Sequence, residues 1–286
     1  MKITYILCLK SLICLLFFSQ TINAYAAVDP SINQLYMNFY NIVTDTNETK
    51  MYEEGNIAVN YAVEILKKAP NSLEAYYTVD FLRNAYKDKK VINQWNKLKE
   101  KHMPNIDDPN FEPAEKLIFV NMLMASFMAN SIDDFKENIR LTDKILDSMK
   151  ENCQDKNYAA LAMITSLKMK KIKRWDYMEL FTEKFPEHSI IPLMKMNYIY
   201  AKYVEDENDN QKCIEELFKL VEKYKNTISP NGWRIAMSFY NQVAFCYINL
   251  NDIENARKYY NLIKSEAPDY SNLSNLEDAL KSVVGK

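Results

Sequence analysis

Hydrophobic residues recur at helical spacing through nearly all of the chain after Asp29. The stretch from Ile214 to Tyr224 shows the pattern clearly, because its apolar residues would form a single stripe along a helix. Prolines mark where such stretches end, since the residue before a proline resists the helical conformation. They do so at Pro70, Pro104, Pro186 and Pro268. The pattern therefore predicts an all-α fold.

The same pattern predicts about thirteen helices joined by short polar turns. Their predicted spans are 30–43, 51–69, 72–87, 89–103, 113–130, 132–151, 155–170, 173–185, 190–204, 210–226, 230–250, 252–266 and 271–284. Several predicted starts carry capping signals, namely Ser229-Pro230, Asn71-x-x-Glu74 and Asn251-x-x-Glu254. No intervening segment is long enough to be a convincing linker, so residues 27–286 are predicted to form one domain.

Glycine is scarce, with Gly55, Gly232 and Gly285 the only three in 286 residues. Tight hairpins, β-bulges and phosphate-binding loops depend on residues that accept a positive φ, and glycine is the usual one. The sequence also contains no P-loop, GxGxxG or GxSxG motif. These observations argue against β-rich and Rossmann-like folds.

One internal unit stands out for its spacing: Tyr240-x2-Val243-Ala244-x2-Tyr247-x8-Ala256-x3-Tyr260-x2-Ile263-x4-Pro268. Small Ala244 and Ala256 would let the two helices of a hairpin approach closely. Tyr260 and Ile263 would continue the apolar stripe on the second helix. At these residues the sequence resembles the tetratricopeptide repeat family, which places large, small and aromatic residues at this spacing.

Two further units resemble the family less completely, at 39–71 and 72–104, beside the best unit at 237–270. The resemblance implies a right-handed α-solenoid of antiparallel helix hairpins, because a single hairpin cannot bury its own apolar face and must stack on neighbours. It also implies a protein-binding scaffold with a curved concave face. An unrelated helical bundle with accidental spacing is the alternative.

In the resembled family, ligands contact the first helix of each hairpin on the concave side. In the best unit, the residues off the packing stripe of that helix are Ser238, Asn241, Phe245, Ile248 and Asn249. One subtype grips a terminal carboxylate through Lys-x3-Asn, whereas Asn241-x3-Phe245 stands at that place here. The resemblance therefore implies a mixed polar and apolar groove for a protein or peptide partner, with Phe245 as an anchor.

Residues 1–26 have the organisation of a secretory signal peptide. Lys2 gives a positive start, an apolar stretch follows, and Ala24-Tyr25-Ala26 has the small-x-small form that signal peptidase requires. We expect cleavage after Ala26 and an exported protein, periplasmic or secreted. An uncleaved anchor is the alternative, although Lys10 interrupts the apolar stretch. No later segment reaches the roughly 20 apolar residues of a membrane span.

Export would leave three cysteines, Cys153, Cys213 and Cys246, which lie far apart in the sequence. An odd count allows at most one internal disulfide. The favoured interpretation is that they are small hydrophobic core residues, and a disulfide between two of them is the alternative.

Charge and candidate chemistry indicate neither nucleic-acid binding nor catalysis. The formal net charge of −2 gives no general electrostatic attraction to nucleic acid. His102 and His188 lie at predicted helix boundaries, where structural or solvated roles are expected. The run 205–210 imitates the start of a calcium loop, but Gln211 stands where that loop needs glycine and Leu217 where it needs glutamate. We therefore predict no metal, no cofactor and no catalytic residues.

The leading hypothesis is an exported, non-catalytic scaffold of tetratricopeptide type that binds a protein or peptide in a cell-envelope or secreted assembly. The alternative is a small-molecule or glycan-binding helical protein that uses tyrosine-rich clefts between helices. A helical enzyme comes third, and a buried pair of carboxylates facing a pocket would favour it.

Overall fold

The structure is a computed structural model that describes residues 30–45, 48–85, 100, 110–125, 132–167 and 174–284. Within these residues it contains twelve α-helices: α1 (Pro30–Val43), α2 (Glu48–Lys68), α3 (Leu73–Ala85), α4 (Pro113–Ala125), α5 (Ile132–Asn152), α6 (Lys156–Leu167), α7 (Arg174–Lys184), α8 (Ile191–Tyr200), α9 (Asn210–Tyr224), α10 (Ala236–Asn249), α11 (Ile253–Glu266) and α12 (Leu273–Val284). A π-helical segment, Ala201–Asp206, continues α8.

The described residues confirm the predicted all-α fold, with corrections to individual helices. The described residues hold twelve α-helices, whereas the periodicity predicted about thirteen. The predicted helix at 89–103 lies outside the described residues apart from residue 100, and so does the predicted signal peptide at 1–26. The predicted span 190–204 is divided between α8 and the π-helical segment. Most other boundaries agree within a few residues.

Local sequence explains how α9 forms. Asp209 Oδ1 accepts the backbone N–H of Lys212 at 2.8 Å, which satisfies an amide of the first turn. Ile214 and Leu217 are buried on one side of the helix, while Glu216 pairs with Lys212 at 3.6 Å on the solvent side. Asp209, part of the run that imitates a calcium loop, is therefore a helix cap.

The loop before α10 is the largest departure from the predicted spans, because α10 begins at Ala236 and not at residue 230. Ser229 donates its backbone N–H to the carbonyl oxygen of Trp233 at 2.8 Å, and Gly232 turns the chain with a φ of +86°. A φ in this range favours glycine, since a side chain would strain the backbone. The Ser229-Pro230 pair therefore opens a tight loop instead of starting a helix.

Two helices are capped one residue later than the capping-box spacing indicated. Ser72 Oγ accepts the N–H of Ala75 at 3.0 Å at the start of α3, and Asp252 caps α11 in the same way. Asn71 is therefore not the cap of α3, and its Oδ1 accepts the N–H of Ser189 at 3.0 Å. A residue that the sequence assigned to a local cap makes a contact between distant parts of the chain.

Each described helix packs mainly on its neighbours along the chain. Pairs such as α1–α2, α5–α6 and α10–α11 are in contact, as are the next-but-one pairs α1–α3 and α8–α10. At the α10–α11 contact, Ala244 and Ala256 are both buried, as close approach of two helices requires. This order of contacts is typical of stacked helix pairs, in which each pair buries its apolar face on the next.

The buried side chains of the described residues form two core clusters. The first lies among α1 to α6 and includes Phe39, and the second lies mainly among α6 to α12 and includes Phe239. Helix α3 contributes to both, because Val79 joins the first cluster and Leu73 joins the second. The buried sides of α3 thus connect the two halves of the described chain.

Aromatic rings interlock between α10 and α11. Tyr259 stacks on both Tyr240 and Tyr247, with ring centroids 5.3 and 5.9 Å away. Tyr260, which the sequence placed on this stripe, donates its hydroxyl to Glu277 of α12 at 3.0 Å. One residue step rotates a side chain by about 100° around a helix, so neighbouring tyrosines face different helices. Both Tyr259 and Tyr260 also pack against the second core cluster.

Candidate functional site

An early and a late part of the described chain meet in one region, formed by α1 and α3 on one side and by the first turn of α10 and the loops before α10 and α12 on the other. Asn33 of α1 donates from Nδ2 to the carbonyl oxygen of Pro230 at 2.8 Å. Tyr77 of α3 lies close enough to Tyr270 for an electrostatic interaction. We call this the end-contact region and define it by Asn33, Tyr36, Glu74, Tyr77, Ser229, Pro230, Trp233, Ser238 and Tyr270.

Glu74 places a carboxylate inside the end-contact region. The residue is 4% exposed, and its Oε2 has no hydrogen-bond partner among the described residues. Burial raises the pKa of Glu74, while hydrogen bonds from its own backbone and from Asn33 and Ser72 oppose that shift. Glu74 therefore takes up a proton more readily than an exposed glutamate, and its ionised form is costly to bury.

Aromatic side chains line the same region. The ring centroids of Tyr36 and Tyr77 are 6.4 Å apart, and those of Trp233 and Tyr270 are 5.3 Å apart, edge to face. Burial raises the pKa of both Tyr36 and Tyr77 above the ordinary value for tyrosine, so both hydroxyls stay protonated at neutral pH. The region combines a carboxylate with hydroxyl and indole groups that can donate hydrogen bonds.

Several polar atoms of the end-contact region are buried and find no hydrogen-bond partner within the described part of the chain. They are the Tyr36 hydroxyl, Glu74 Oε2, Ser229 Oγ and Trp233 Nε1. Buried polar groups in native proteins are nearly always paired. Pairing these atoms would require water or a small polar molecule beside them.

Glu74 was not predicted as a site residue because its spacing from Asn71 fits a capping box. The sequence does contain a signal for its burial. Glu74 precedes Thr78 by one turn and Leu82 by two, and both of those residues are buried. An acidic residue on the buried face of a helix is the pattern that identifies it.

Two of the five predicted partner-contact residues are buried. Ser238 is 5% exposed and is hydrogen-bonded to Tyr270, which places it in the end-contact region. Asn241 is 1% exposed, and neither polar atom of its amide has a hydrogen-bond partner among the residues described. The chain itself covers both positions, so they do not belong to an open surface.

The other three predicted contact residues lie nearer to solvent. Phe245 and Ile248 are half-buried and pack against the second core cluster. Asn249 is exposed and donates from Nδ2 to Asn210 Oδ1 at 2.9 Å. These three residues are the part of the predicted set that a partner can reach.

His188 has a structural environment. It is buried, its ring centroid lies 6.1 Å from that of Phe181, and its Nδ1 accepts the N–H of Ile190 at 3.3 Å. Burial lowers the pKa of His188 to about 4, so the ring is neutral at physiological pH. His102 lies outside the described residues.

Acidic residues and possible metal ligands are dispersed over the described ranges. No three or more His, Cys, Asp or Glu residues are grouped there in a way that could hold a metal ion. Among the residues whose side chains the structure describes, Glu74 is the one buried carboxylate. The buried pair of acids that would favour an enzyme is therefore not found in this part of the chain.

In the structure none of the three cysteines after the predicted signal peptide is joined in a disulfide, and two of them are neighbours. Cys213 of α9 and Cys246 of α10 are both 0% exposed, and their thiols are within hydrogen-bonding range of each other. Cys153 is half-buried just after α5. Tertiary structure thus brings together two cysteines that lie far apart in the sequence.

Comparison with protein-family models, with curated proteins and with solved structures found no match for this chain. The resemblance to tetratricopeptide repeats therefore stays a prediction based on the residues that carry it. In the described ranges, no helix is both long enough and apolar enough to cross a bilayer.

Proposed function

We propose that the protein is an exported, non-catalytic scaffold of tetratricopeptide type, a right-handed α-solenoid that binds a protein or peptide partner. The observation that carries the proposal is the packing of helices on their neighbours along the chain, which is typical of repeat proteins. Burial of Ala244 and Ala256, where the family pattern has small residues, supports it. Such a scaffold would serve an assembly of the cell envelope or the secreted fraction.

The partner surface in this proposal is the accessible part of α10. Phe245 and Ile248 offer partly exposed apolar groups, and exposed Asn249 adds a polar group beside them. An apolar anchor with a polar rim is typical of protein contacts. Ser238 and Asn241 are left out of this surface because both are buried.

A photo-crosslinking amino acid at position 248 tests the partner surface in cells that produce the full-length protein. We expect an adduct with a defined partner that is lost in the Phe245→Ala variant, provided that circular dichroism shows the variant to be folded. The same amino acid at Arg257, which is exposed on α11, is the control and should give no such adduct. Equal adducts at both positions, or none at position 248, would reject the surface.

Export is tested by fractionating the cells and sequencing the amino terminus of the recovered protein. Cleavage after Ala26 is the expected result. A chain that keeps residues 1–26 and stays in the membrane would support the uncleaved anchor. A chain that keeps them and stays in the cytoplasm would reject export.

A second candidate function is the binding of a small polar molecule in the end-contact region. The observation that favours it is the buried Glu74 Oε2, which has no hydrogen-bond partner among the described residues. A carboxylate beside aromatic rings attracts an organic cation through its charge and through the ring faces. Tyr36 and Trp233 could donate hydrogen bonds to the hydroxyl groups of a glycan.

Thermal stabilisation by ligands separates this second candidate from the scaffold, because a ligand that binds only the folded state raises its stability. The assay is a thermal-shift screen with small organic cations and simple sugars. A rise in Tm that Glu74→Gln abolishes is the expected result. An unchanged Tm across the panel would remove this candidate.

A further inference from the structure

Cys213 and Cys246 form a thiol pair inside the protein. Helices α9 and α10 pack against each other, both cysteines are 0% exposed, and their thiols are within hydrogen-bonding range. Disulfides persist in the oxidising compartments outside the cytoplasm. We infer that Cys213 and Cys246 form an intramolecular disulfide in the mature protein, and this inference rests on the proposed export.

The bond forms by thiol–disulfide exchange with an oxidised dithiol protein or a small disulfide such as oxidised glutathione. One cysteine loses its proton, and its thiolate attacks a sulfur of the oxidant, which gives a mixed disulfide and releases the first thiol of the oxidant. The second cysteine then attacks the protein sulfur of that mixed disulfide. This step closes the bond between Cys213 and Cys246 and releases the second thiol, so the two electrons and two protons end on the reduced oxidant.

Burial determines when the exchange can occur. The thiolate is the attacking species, and the pKa of the Cys213 thiol is raised by its hydrogen bond to Cys246 and by burial. Once α9 and α10 have packed, neither thiol is accessible to an oxidant. The bond therefore forms during folding after export, before the two helices close.

Cys153 has a different environment and stays a free thiol in this proposal. It follows α5, where its electrostatic neighbours are Asp155 and Lys116. Of the three cysteines, Cys213 and Cys246 would thus be paired and Cys153 would be unpaired. The disulfide would join α9 to α10, and α10 is the helix that carries Phe245 of the proposed partner surface.

Peptide mapping of the exported protein tests the pairing. The protein is denatured in excess N-ethylmaleimide and digested, and its peptides are identified by mass spectrometry before and after reduction. We expect label on Cys153 alone, together with a peptide pair linked through Cys213 and Cys246 that separates on reduction. Label on all three cysteines of the exported protein, or a bond that includes Cys153, overturns the inference.

Refolding tests the pairing independently of export. The purified protein is reduced, denatured and refolded in a mixture of reduced and oxidised glutathione. The bond between Cys213 and Cys246 should dominate over the other two pairings, and a mixture of all three overturns the inference. If the chain is found in the cytoplasm with residues 1–26 attached, the export proposal fails. The refolding experiment still shows whether Cys213 and Cys246 pair preferentially.

Reduction of the bond should lower thermal stability, because the bond closes a loop over residues 213–246 of the unfolded chain. For a loop of this size and a domain of this length we expect Tm to fall by about 8–15 °C. Cys153→Ser should show the same fall on reduction, whereas Cys213→Ser should show none. An unchanged Tm on reduction of the wild-type protein counts against the bond.

Discussion

Asn33→Ala should destabilise the protein by breaking the contact between an early and a late part of the chain. Asn33 Nδ2 donates to the carbonyl oxygen of Pro230 at 2.8 Å, and the same side chain is hydrogen-bonded to Glu74. Asn33 is half-buried and Glu74 is buried. The substitution therefore removes donors from two acceptors in a region that water reaches poorly.

The expected loss in the free energy of unfolding is about 1–3 kcal/mol, because a buried acceptor without its donor costs much of its desolvation free energy. Alanine favours the helix over asparagine by roughly 0.5 kcal/mol, which offsets part of the loss. A net loss of about 0.5–2.5 kcal/mol corresponds to a fall in Tm of roughly 1–10 °C for a domain of this length.

Asn38→Ala is the matched control for this experiment. Asn38 lies in the same helix, and its Oδ1 accepts an exposed hydrogen bond from Gln34 Nε2 at 3.0 Å. The control has the same change in helix propensity but loses only a solvent-exposed bond. Thermal unfolding followed by circular dichroism at fixed pH compares the two variants. Equal Tm values for Asn33→Ala and Asn38→Ala would refute a stabilising role for the end contact.

Three further predictions concern pH and burial. The pKa of His188 is about 4 in the folded state against an ordinary 6.5. As pH falls from 6.5 to 4, the unfolded state therefore binds a proton that the folded state does not. The free energy of unfolding should fall by up to roughly 3 kcal/mol over this range. Urea unfolding at several pH values should show that His188→Gln removes this fall. Glu74 should change stability in the opposite direction with pH, because its pKa is raised in the folded state. Stability is therefore lost as pH rises from the ordinary pKa of glutamate through the folded-state pKa. Glu74→Gln should therefore unfold at higher urea concentration than the wild type at neutral pH, and a lower midpoint would contradict the burial argument. Phe239→Ala should cost about 3–5 kcal/mol in the same assay because Phe239 is 0% exposed. Leu250→Ala, at a residue 44% exposed, should cost less than about 1 kcal/mol, and similar losses for both would contradict the core assignment.

Helical periodicity predicted most elements because it depends on residues within a few turns of one another. The predicted span 30–43 coincides with α1, Pro30–Val43. The predicted start of α10 at residue 230 was wrong because Ser229-Pro230 has the same local signature as a helix cap. Gly232 and the bridge between Ile228 and Arg234 form a loop there instead.

The candidate site was less predictable than the helices. Ser238 and Asn241 were placed on an open face by resemblance to a family, whereas the structure buries both. Glu74 carries a readable sign of burial in its spacing from Leu82, but nothing local indicates that Asn33 and Tyr36 accompany it. Those neighbours depend on how α1 lies against α3.

By itself, the sequence determined an all-helical chain with little capacity for tight glycine turns, because helix formation and glycine scarcity are both local properties. Only the tertiary structure decided which distant residues meet. Asn71 contacts Ser189, Asn33 contacts Pro230, and Cys213 lies beside Cys246. The angles between successive helices accumulate along the chain, so contacts between its distant parts depend on every intervening pair, and no local pattern encodes that sum.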